Sequence, residues 1–153
     1  MTRVLVTVER ADRDRALLER AKALAVGAET DEDLLVVALA TPEAYEEIEE
    51  TLAVIGRAEH TTYAEDDVLD GVSADVEDTA NDVLEPDVGY ELRTIVAGVD
   101  EQAEALLGVA NRTGCDHIFL PGYRRSPTKK AIFGDRAQRV ILDFDGSVTV
   151  GMN

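Results

Sequence analysis

The chain has 153 residues, 45% of them hydrophobic, and a formal net charge of −17 from 32 acidic and 15 basic side chains. This length fits one domain over residues 1–153 with a sizeable core, and the absence of an apolar run of 18 residues argues against a membrane span. The acidic balance disfavours nucleic acid and anionic membranes as partners, because both carry negative charge.

Two features bear on the cellular compartment. Residues 1–8 enter a strand pattern directly, without the apolar segment and small-residue cleavage site of a signal peptide. Cys115 is the single cysteine and has no partner for an internal disulfide, which fits a reducing environment. We therefore expect a cytoplasmic protein.

The distribution of charge suggests a salty environment. Between Arg57 and Arg93 there are twelve acidic residues and no basic one, and only three of the basic residues are lysines. Such a surface repels itself at low ionic strength, and high salt screens the repulsion. The composition favours a halophilic protein, and a merely acidic protein from an ordinary cytoplasm is the alternative.

The first half of the chain alternates strand and helix patterns. Residues 3–8 predict a buried strand, and residues 12–26 predict a helix with an apolar face. The continuous apolar run over residues 34–40 is typical of a strand buried on both faces. Thr41 is expected to cap a helix over residues 42–56.

The pattern continues through an acidic middle section. Residues 67–84 predict a second acidic helix, and residues 90–96 alternate as a strand. Asp100 is expected to cap the next helix, which should stop near Gly114.

The last third completes the pattern. Residues 117–121 predict a strand, a helix is expected to begin at Gly134, and residues 147–150 predict a terminal strand. Five strands that alternate with helices predict an α/β fold with a doubly wound parallel sheet.

Residues 124–139 form a cationic island in the acidic chain, with six basic residues and one acidic residue, Asp135. Gly122 closes the preceding strand, and Gly134 opens the following helix. Backbone N–H groups at a helix N-terminus lack intrahelical partners, and the helix dipole favours negative charge there. The stretch therefore predicts an anion-binding loop, with a solvated basic loop as the alternative.

The ends of three predicted strands should form the rim of a ligand site, because doubly wound sheets bind ligands beyond the carboxyl ends of their strands. Glu9 could accept a hydrogen bond from a ribose or an adenine edge, or it could be a solvated carboxylate. Leu39 could contact a base through its backbone, or it could belong to the core.

The loop resembles the nucleotide loop of the universal stress protein family, in which Gly-x2-Gly-x9-Gly is followed by Ser or Thr. Gly122 and Gly134 match the outer glycines, whereas Arg125 stands at the middle glycine, eight residues separate it from Gly134, and Asp135 replaces the hydroxyl residue. The opening strand with Glu9 and the stretch over residues 100–122 extend the resemblance over almost the whole chain. The form Gly-x-x-Arg-Ser-Pro-x-x-Lys-x-x-Phe-Gly is similar to that of family members from salt-loving organisms.

The resemblance implies a non-enzymatic stress-response regulator that binds ATP at the loop 122–135. It also implies an adenine nucleotide alpha hydrolase-like fold, with strand order 3-2-1-4-5 and helices on both faces, and a homodimer formed through the C-terminal strand. The candidate ligand-binding residues are Thr7, Glu9, Leu39, Pro121, Gly122, Arg124, Arg125, Ser126, Lys130, Gly134 and Asp135.

The departures from the family pattern leave two functions open. Arg125 has a Cβ that a glycine lacks, yet its guanidinium can bind phosphate bidentately. Asp135 and Gln138 have the spacing of a capping box, and a capping carboxylate would compete with phosphate for the first-turn N–H groups. The alternative function is therefore a nucleotide-independent interaction or structural homodimer whose basic loop contacts a protein partner.

Motifs for catalysis and metal binding are not evident. A weak ATP hydrolase is a third possibility, but no general base, Ser-His-Asp order or P-loop stands out, so no catalytic residue is predicted. Cys115 and His117 are two residues apart and are expected to share a strand face. No third ligand accompanies them, so no metal site is predicted.

Overall fold

Five parallel strands form one sheet in a computed structural model that describes residues 3–27, 34–122 and 134–152. The strands are β1 (Val4–Val8), β2 (Leu34–Ala40), β3 (Tyr90–Val96), β4 (His117–Gly122) and β5 (Ser147–Met152). The helices are α1 (Arg15–Gly27), α2 (Pro42–Glu59), α3 (Glu65–Leu84), α4 (Gln102–Thr113) and α5 (Gly134–Asp143). The sheet has the order β3-β2-β1-β4-β5, which confirms the predicted doubly wound α/β fold.

The strand β1 lies at the centre of the sheet and sets its topology. Val6 pairs with Val36 of β2 on one side and with Phe119 of β4 on the other. The chain builds one half of the sheet from β1 outward through β2 and β3, and the other half from β4 outward to β5. The connections of the two halves therefore lie on opposite faces of the sheet, and the change of direction falls between β1 and β4. This reversal opens a crevice beyond their carboxyl ends.

The sheet divides the buried apolar side chains into two cores. Val4, Val6 and Val8 pack with α1 and α3, whereas Leu5 packs with α4 and α5. Successive side chains of a strand point to opposite faces, so β1 contributes to both cores. The continuous apolar run of β2 has the same explanation, since it is covered on both faces.

The helix α2 lies outside these two cores and packs mainly on α3. Within α2, which is described in full, Gly56 is the one buried residue. A Cβ added to Gly71 of α3 would lie 2.8 Å from Cγ2 of Ile48, so the missing side chain of Gly71 permits the close approach of these helices. The two helices form a hairpin that extends beyond the carboxyl end of β2.

Two helix boundaries differ from the predicted ones for local reasons. The helix α1 begins at Arg15 rather than at residue 12, because residues 11–14 form a turn that Asp14 stabilises. The helix α2 continues past Gly56 to Glu59 and ends at His60, whose φ of 56° is left-handed. Gly56 is a contact position rather than a helix stop, since a Cβ there would lie 2.4 Å from the carbonyl oxygen of Thr61.

The starts of α3 and α4 also differ from the predicted ones. The helix α3 begins two residues before the predicted start, because the side chain of Asp67 accepts a hydrogen bond from the N–H of Ala64 at 2.9 Å. The predicted Asp100 cap of α4 is wrong: the N-cap is Glu101, and its side chain makes no capping hydrogen bond. The predicted stop at Gly114 is confirmed, with a left-handed φ of 72°.

Cys115 and His117 do not share a strand face as predicted. Cys115 belongs to the core under α4 and α5, whereas His117 stacks on Phe119, which belongs to the core under α1 and α3. The two-residue periodicity does not apply because β4 begins only at His117. Among the described residues, no group of three potential metal ligands comes together, and no helix is long and apolar enough to cross a membrane.

Candidate functional site

A cleft of about 820 Å³ opens beyond the carboxyl ends of β1 and β2. Its floor is formed by the ends of these strands and by the connection from β3 to α4. One wall is the α2–α3 hairpin, and the opposite wall is the first part of α5. The volume is within the range that accommodates a small-molecule ligand.

The turn between β1 and α1 is fixed by Asp14, whose side chain is fully buried. Its Oδ2 accepts hydrogen bonds from the backbone N–H of Glu9 at 2.9 Å and of Arg10 at 3.0 Å. Its Oδ1 lies 3.4 Å from Nε of Arg13. Burial raises the pKa of Asp14, against the opposing effect of these hydrogen bonds and of the nearby guanidinium. The carboxylate therefore holds in place the residue that follows β1, Glu9.

Glu9 and Arg136 form an ion pair across the cleft. Nη1 of Arg136, from the first turn of α5, donates to Oε1 of Glu9 and also to Oε1 of Gln102 at 2.8 Å. Glu9 also contacts Arg13, with 3.5 Å between Oε2 and Nη2. Desolvation by burial lowers the pKa of Arg136, which is 15% exposed. The guanidinium is therefore a largely buried cation at one end of the cleft.

Gln102 connects this ion pair to the ends of β2 and β3. Its Nε2 donates to the carbonyl oxygen of Ala97 at 3.1 Å, and the N–H of Ala97 donates to the carbonyl oxygen of Ala40 at 3.0 Å. Because the amide nitrogen is committed to Ala97, the amide oxygen is left to accept from Arg136. The orientation of the guanidinium is thus set by backbone groups of two strands.

Charges of both signs line the cleft. Arg10, Arg136 and Arg139 lie on the side of β1 and α5, where Glu9 also lies, and the other acidic lining residues are Glu47, Asp75 and Asp100. In a chain with 32 acidic and 15 basic side chains, three arginines against four carboxylates are a higher share of positive charge than the chain average. This end of the cleft is suited to an anionic group.

The predicted site residues fall into three groups. Glu9 and Leu39 line the cleft, whereas Thr7, Pro121 and Gly122 are buried next to it and are not among the residues that line it. Gly134 and Asp135 are the first described residues of α5, which agrees with the prediction of a helix here. The remaining predicted residues lie outside the described part of the chain: Arg124, Arg125, Ser126 and Lys130.

Thr7 has an unusual environment for a polar side chain. It lies on the same face of β1 as Leu5, its side chain is fully buried, and its Oγ1 has no hydrogen-bond partner among the described residues. A buried hydroxyl without a partner is unfavourable by about 1–3 kcal/mol. The hydroxyl of Thr7 is therefore a polar group near the β1–β4 crevice that can still donate and accept hydrogen bonds.

Sequence reasoning missed three residues that shape the site: Asp14, Gln102 and Arg136. Arg136 was counted only as part of the cationic island, although its place two residues after Gly134 would put it in the first turn of the helix. Gln102 and Asp14 were absorbed into helix patterns. Their roles depend on contacts between distant segments, which no local pattern carries.

Comparisons with known proteins agree with the fold. The family model described as the universal stress protein family matches residues 1–150. A comparison with curated proteins gives no significant match.

Similar solved structures include a universal stress protein from Archaeoglobus fulgidus, with 18% identity, a TM-score of 0.59 and 98% of each chain covered. A universal stress protein in complex with cAMP has 16% identity and a TM-score of 0.59, over 99% of this chain and 96% of its own. The Archaeoglobus fulgidus protein in complex with dAMP has 16% identity and a TM-score of 0.54, over 98% of this chain and 97% of its own. At these identities the likeness establishes the fold, and the family match over nearly the whole length shows that the chain belongs to the universal stress protein family.

Proposed function

We propose that this protein is a cytoplasmic, non-enzymatic stress-response regulator that binds an adenine nucleotide, ATP, with its phosphates at the loop 122–135. The observation that carries the proposal is the cleft at the switch point of the sheet, because its cationic end lies beside the start of α5. Arginine side chains and a helix N-terminus both favour phosphate. Two of the similar solved structures are complexes with cAMP and dAMP, which supports an adenine nucleotide as the ligand.

The shape of the cleft suggests how the nucleotide would lie. The end of β2 offers Leu39 and the neighbouring backbone to a base, and Glu9 offers a carboxylate to a ribose hydroxyl. The phosphates would then extend toward Gly134, where Arg124, Arg125, Ser126 and Lys130 are proposed to complete the site. Pro121 and Gly122 would fix the point at which this loop leaves β4.

The proposal is one of binding rather than hydrolysis. A hydrolase needs a general base directed at a water molecule next to the terminal phosphate. The carboxylate nearest the cationic end, Glu9, is instead paired with Arg13 and Arg136. No step of catalysis is assigned to any residue.

We predict that Asp135→Ser tightens ATP binding by tenfold or more, which corresponds to about 1.4 kcal/mol. The substitution keeps a side chain that can cap the helix, removes a negative charge and frees first-turn N–H groups for phosphate. Arg125→Ala should weaken binding, because it removes a charged phosphate contact. Isothermal titration calorimetry in one high-salt buffer measures all three proteins.

The control for charge is Asp78→Ser, an exposed position of α3 that does not line the cleft. It makes the same change in net charge and should leave ATP affinity unchanged. If the wild type and both loop variants fail to bind ATP or ADP at millimolar ligand, the loop is not a nucleotide site.

The second candidate function is a nucleotide-independent homodimer whose basic loop contacts a protein partner. The favouring observation is β5, which pairs with β4 on one side and with no described strand on the other. An unpaired strand edge can add a strand from a second copy. The residues of this edge from Val148 to Val150 are half-buried rather than fully exposed.

We predict that the protein is a dimer in high salt and that Val150→Glu converts it to a monomer, since a charge at the edge disfavours strand pairing. Light scattering gives the mass. Val148→Glu should act in the same direction but also lower stability, because Val148 packs against the core under α4 and α5. Thr94→Glu on the opposite edge strand, β3, is the matched control and should remain dimeric. A monomeric wild type, or a dimer that persists in both valine variants, would remove β5 from the interface.

A further inference from the structure

Arg136 has hydrogen-bond donors that its described partners do not use. Its Nη1 is shared between one carboxylate, that of Glu9, and one neutral amide oxygen, that of Gln102. Its Nε is buried and has no acceptor among the described residues. A guanidinium has five N–H donors, and a desolvated cation gains strongly from an additional anion.

Glu9 is only partly committed to Arg136. The same carboxylate contacts Nη2 of Arg13 at 3.5 Å, four residues further along the chain in the turn before α1. If Arg136 took another anion, Glu9 would keep Arg13 as a cationic partner, which it shares with Asp14. The carboxylate would therefore not become a buried unpaired charge, which is the costly outcome of breaking a buried ion pair.

Gln102 would keep the guanidinium in place during such an exchange. Its side chain is buried, and its amide nitrogen is held by the carbonyl oxygen of Ala97. The amide oxygen therefore continues to accept from Arg136 whether or not Glu9 does. A guanidinium that is oriented in advance loses little side-chain entropy when it binds a phosphate.

We infer that Arg136 selects ligands of the cleft by their phosphate group, and that Glu9 is its internal counter-ion, which the phosphate displaces. The inference rests on the proposed nucleotide function and assigns a residue that the loop pattern does not include. It makes a specific distinction between ligands. A nucleotide with a phosphate competes with Glu9 for Arg136, whereas a nucleoside leaves the ion pair intact.

The experiment measures AMP and adenosine affinities by calorimetry in one high-salt buffer for the wild type and three variants. Arg136→Gln should weaken AMP binding by about tenfold, since it removes a charge-assisted hydrogen bond, and should leave adenosine binding unchanged. Glu9→Gln keeps hydrogen-bonding atoms for a ribose but removes the competing charge. It should tighten AMP binding by about threefold or more relative to adenosine binding, because both ligands exchange the same ribose acceptor and only AMP has a phosphate that competes with Glu9.

The double variant Glu9→Gln/Arg136→Gln separates displacement from plain repulsion. If Glu9 acts by occupying Arg136, its replacement should have no effect on the ratio of AMP to adenosine affinity once Arg136 is gone. An equal gain in both backgrounds would show that Glu9 merely repels the phosphate, and it would overturn the counter-ion role. Equal losses of AMP and adenosine affinity in Arg136→Gln would overturn the role in selection.

Two further variants provide a control for net charge and a substitute in case Arg136→Gln does not fold. Arg112→Gln, an exposed position at the end of α4, removes the same charge away from the cleft and should not alter AMP affinity. If Arg136→Gln does not fold, Arg136→Lys keeps the charge without the planar fork and should weaken AMP binding selectively, though by less. A wild type that binds neither AMP nor ATP contradicts the proposed function itself, whereas a wild type that binds AMP independently of Arg136 contradicts only this inference.

Discussion

Raising the KCl concentration from about 0.1 M to about 3 M should raise the melting temperature of this protein by about 10 °C or more. The net charge is −17, and the helices α2 and α3 contain fourteen acidic residues against one basic residue, Arg57. All fourteen acidic side chains are exposed. Their mutual repulsion disfavours the compact state at low salt and is screened at high salt, where the Debye length falls to about 3 Å. Scanning calorimetry across a series of KCl concentrations measures how the melting temperature changes with salt.

A variant with fewer charges distinguishes the screening of charge repulsion from a general effect of salt on the burial of apolar surface. Replacing Asp66, Asp70, Glu77 and Asp78 of α3 by the matching amides keeps the side-chain shapes and removes four exposed charges. This variant should melt higher than the wild type at low salt and should respond less to KCl. A flat or falling melting temperature of the wild type would contradict the prediction that this chain is adapted to high salt.

Asp14→Ala should lower the free energy of unfolding by about 2–4 kcal/mol, because it leaves the N–H groups of Glu9 and Arg10 without their acceptor. For a chain of this size the loss corresponds to a fall in melting temperature of about 5–15 °C. The same substitution should weaken nucleotide binding, since the turn that positions Glu9 loses its anchor. Denaturant unfolding in high salt measures the first effect and calorimetry measures the second.

The control is Asp12→Ala, an exposed carboxylate of the same turn, which should change stability little.

The difference in unfolding free energy between the wild type and Asp14→Ala should also depend on pH. Burial raises the pKa of Asp14 in the folded protein above its pKa in the unfolded chain. The contribution of Asp14 to stability is therefore complete at a pH below the unfolded-state pKa, and it falls as the pH rises through the folded-state pKa. The gap between wild type and Asp14→Ala should accordingly narrow from acid toward neutral pH, and a gap near zero at every pH would mean that Asp14 does not hold the turn.

Much of the fold could be predicted because its signals are local. The apolar runs of β1 and β2 and the glycines at Gly114 and Gly122 mark elements that the structure contains. Errors arose where a residue served a tertiary contact, as at Gly56, which resembles a helix stop but allows the chain to pass close to Thr61.

The candidate site was less predictable than the fold. Its place at the carboxyl ends of the strands followed from topology, and Glu9 and Leu39 were identified by their position alone. The pairing of Glu9 with Arg136 joins residues 127 positions apart, and the bond from Arg136 to Gln102 spans 34 positions. Such contacts require the register of the sheet and the placement of α4 and α5, which no single segment specifies.

The position of α2 outside both cores has a consequence for how a ligand would enter and leave. The floor of the cleft and its α5 wall belong to segments that the sheet and its two cores hold together, but the α2–α3 wall includes Ala44, Glu47 and Ile48 of a helix that rests mainly on α3. Few buried apolar contacts mean a small free energy of local opening, well below that of global unfolding. We therefore expect α2 to move away from the cleft more readily than the other segments that line it, which would let a ligand enter or leave without global unfolding.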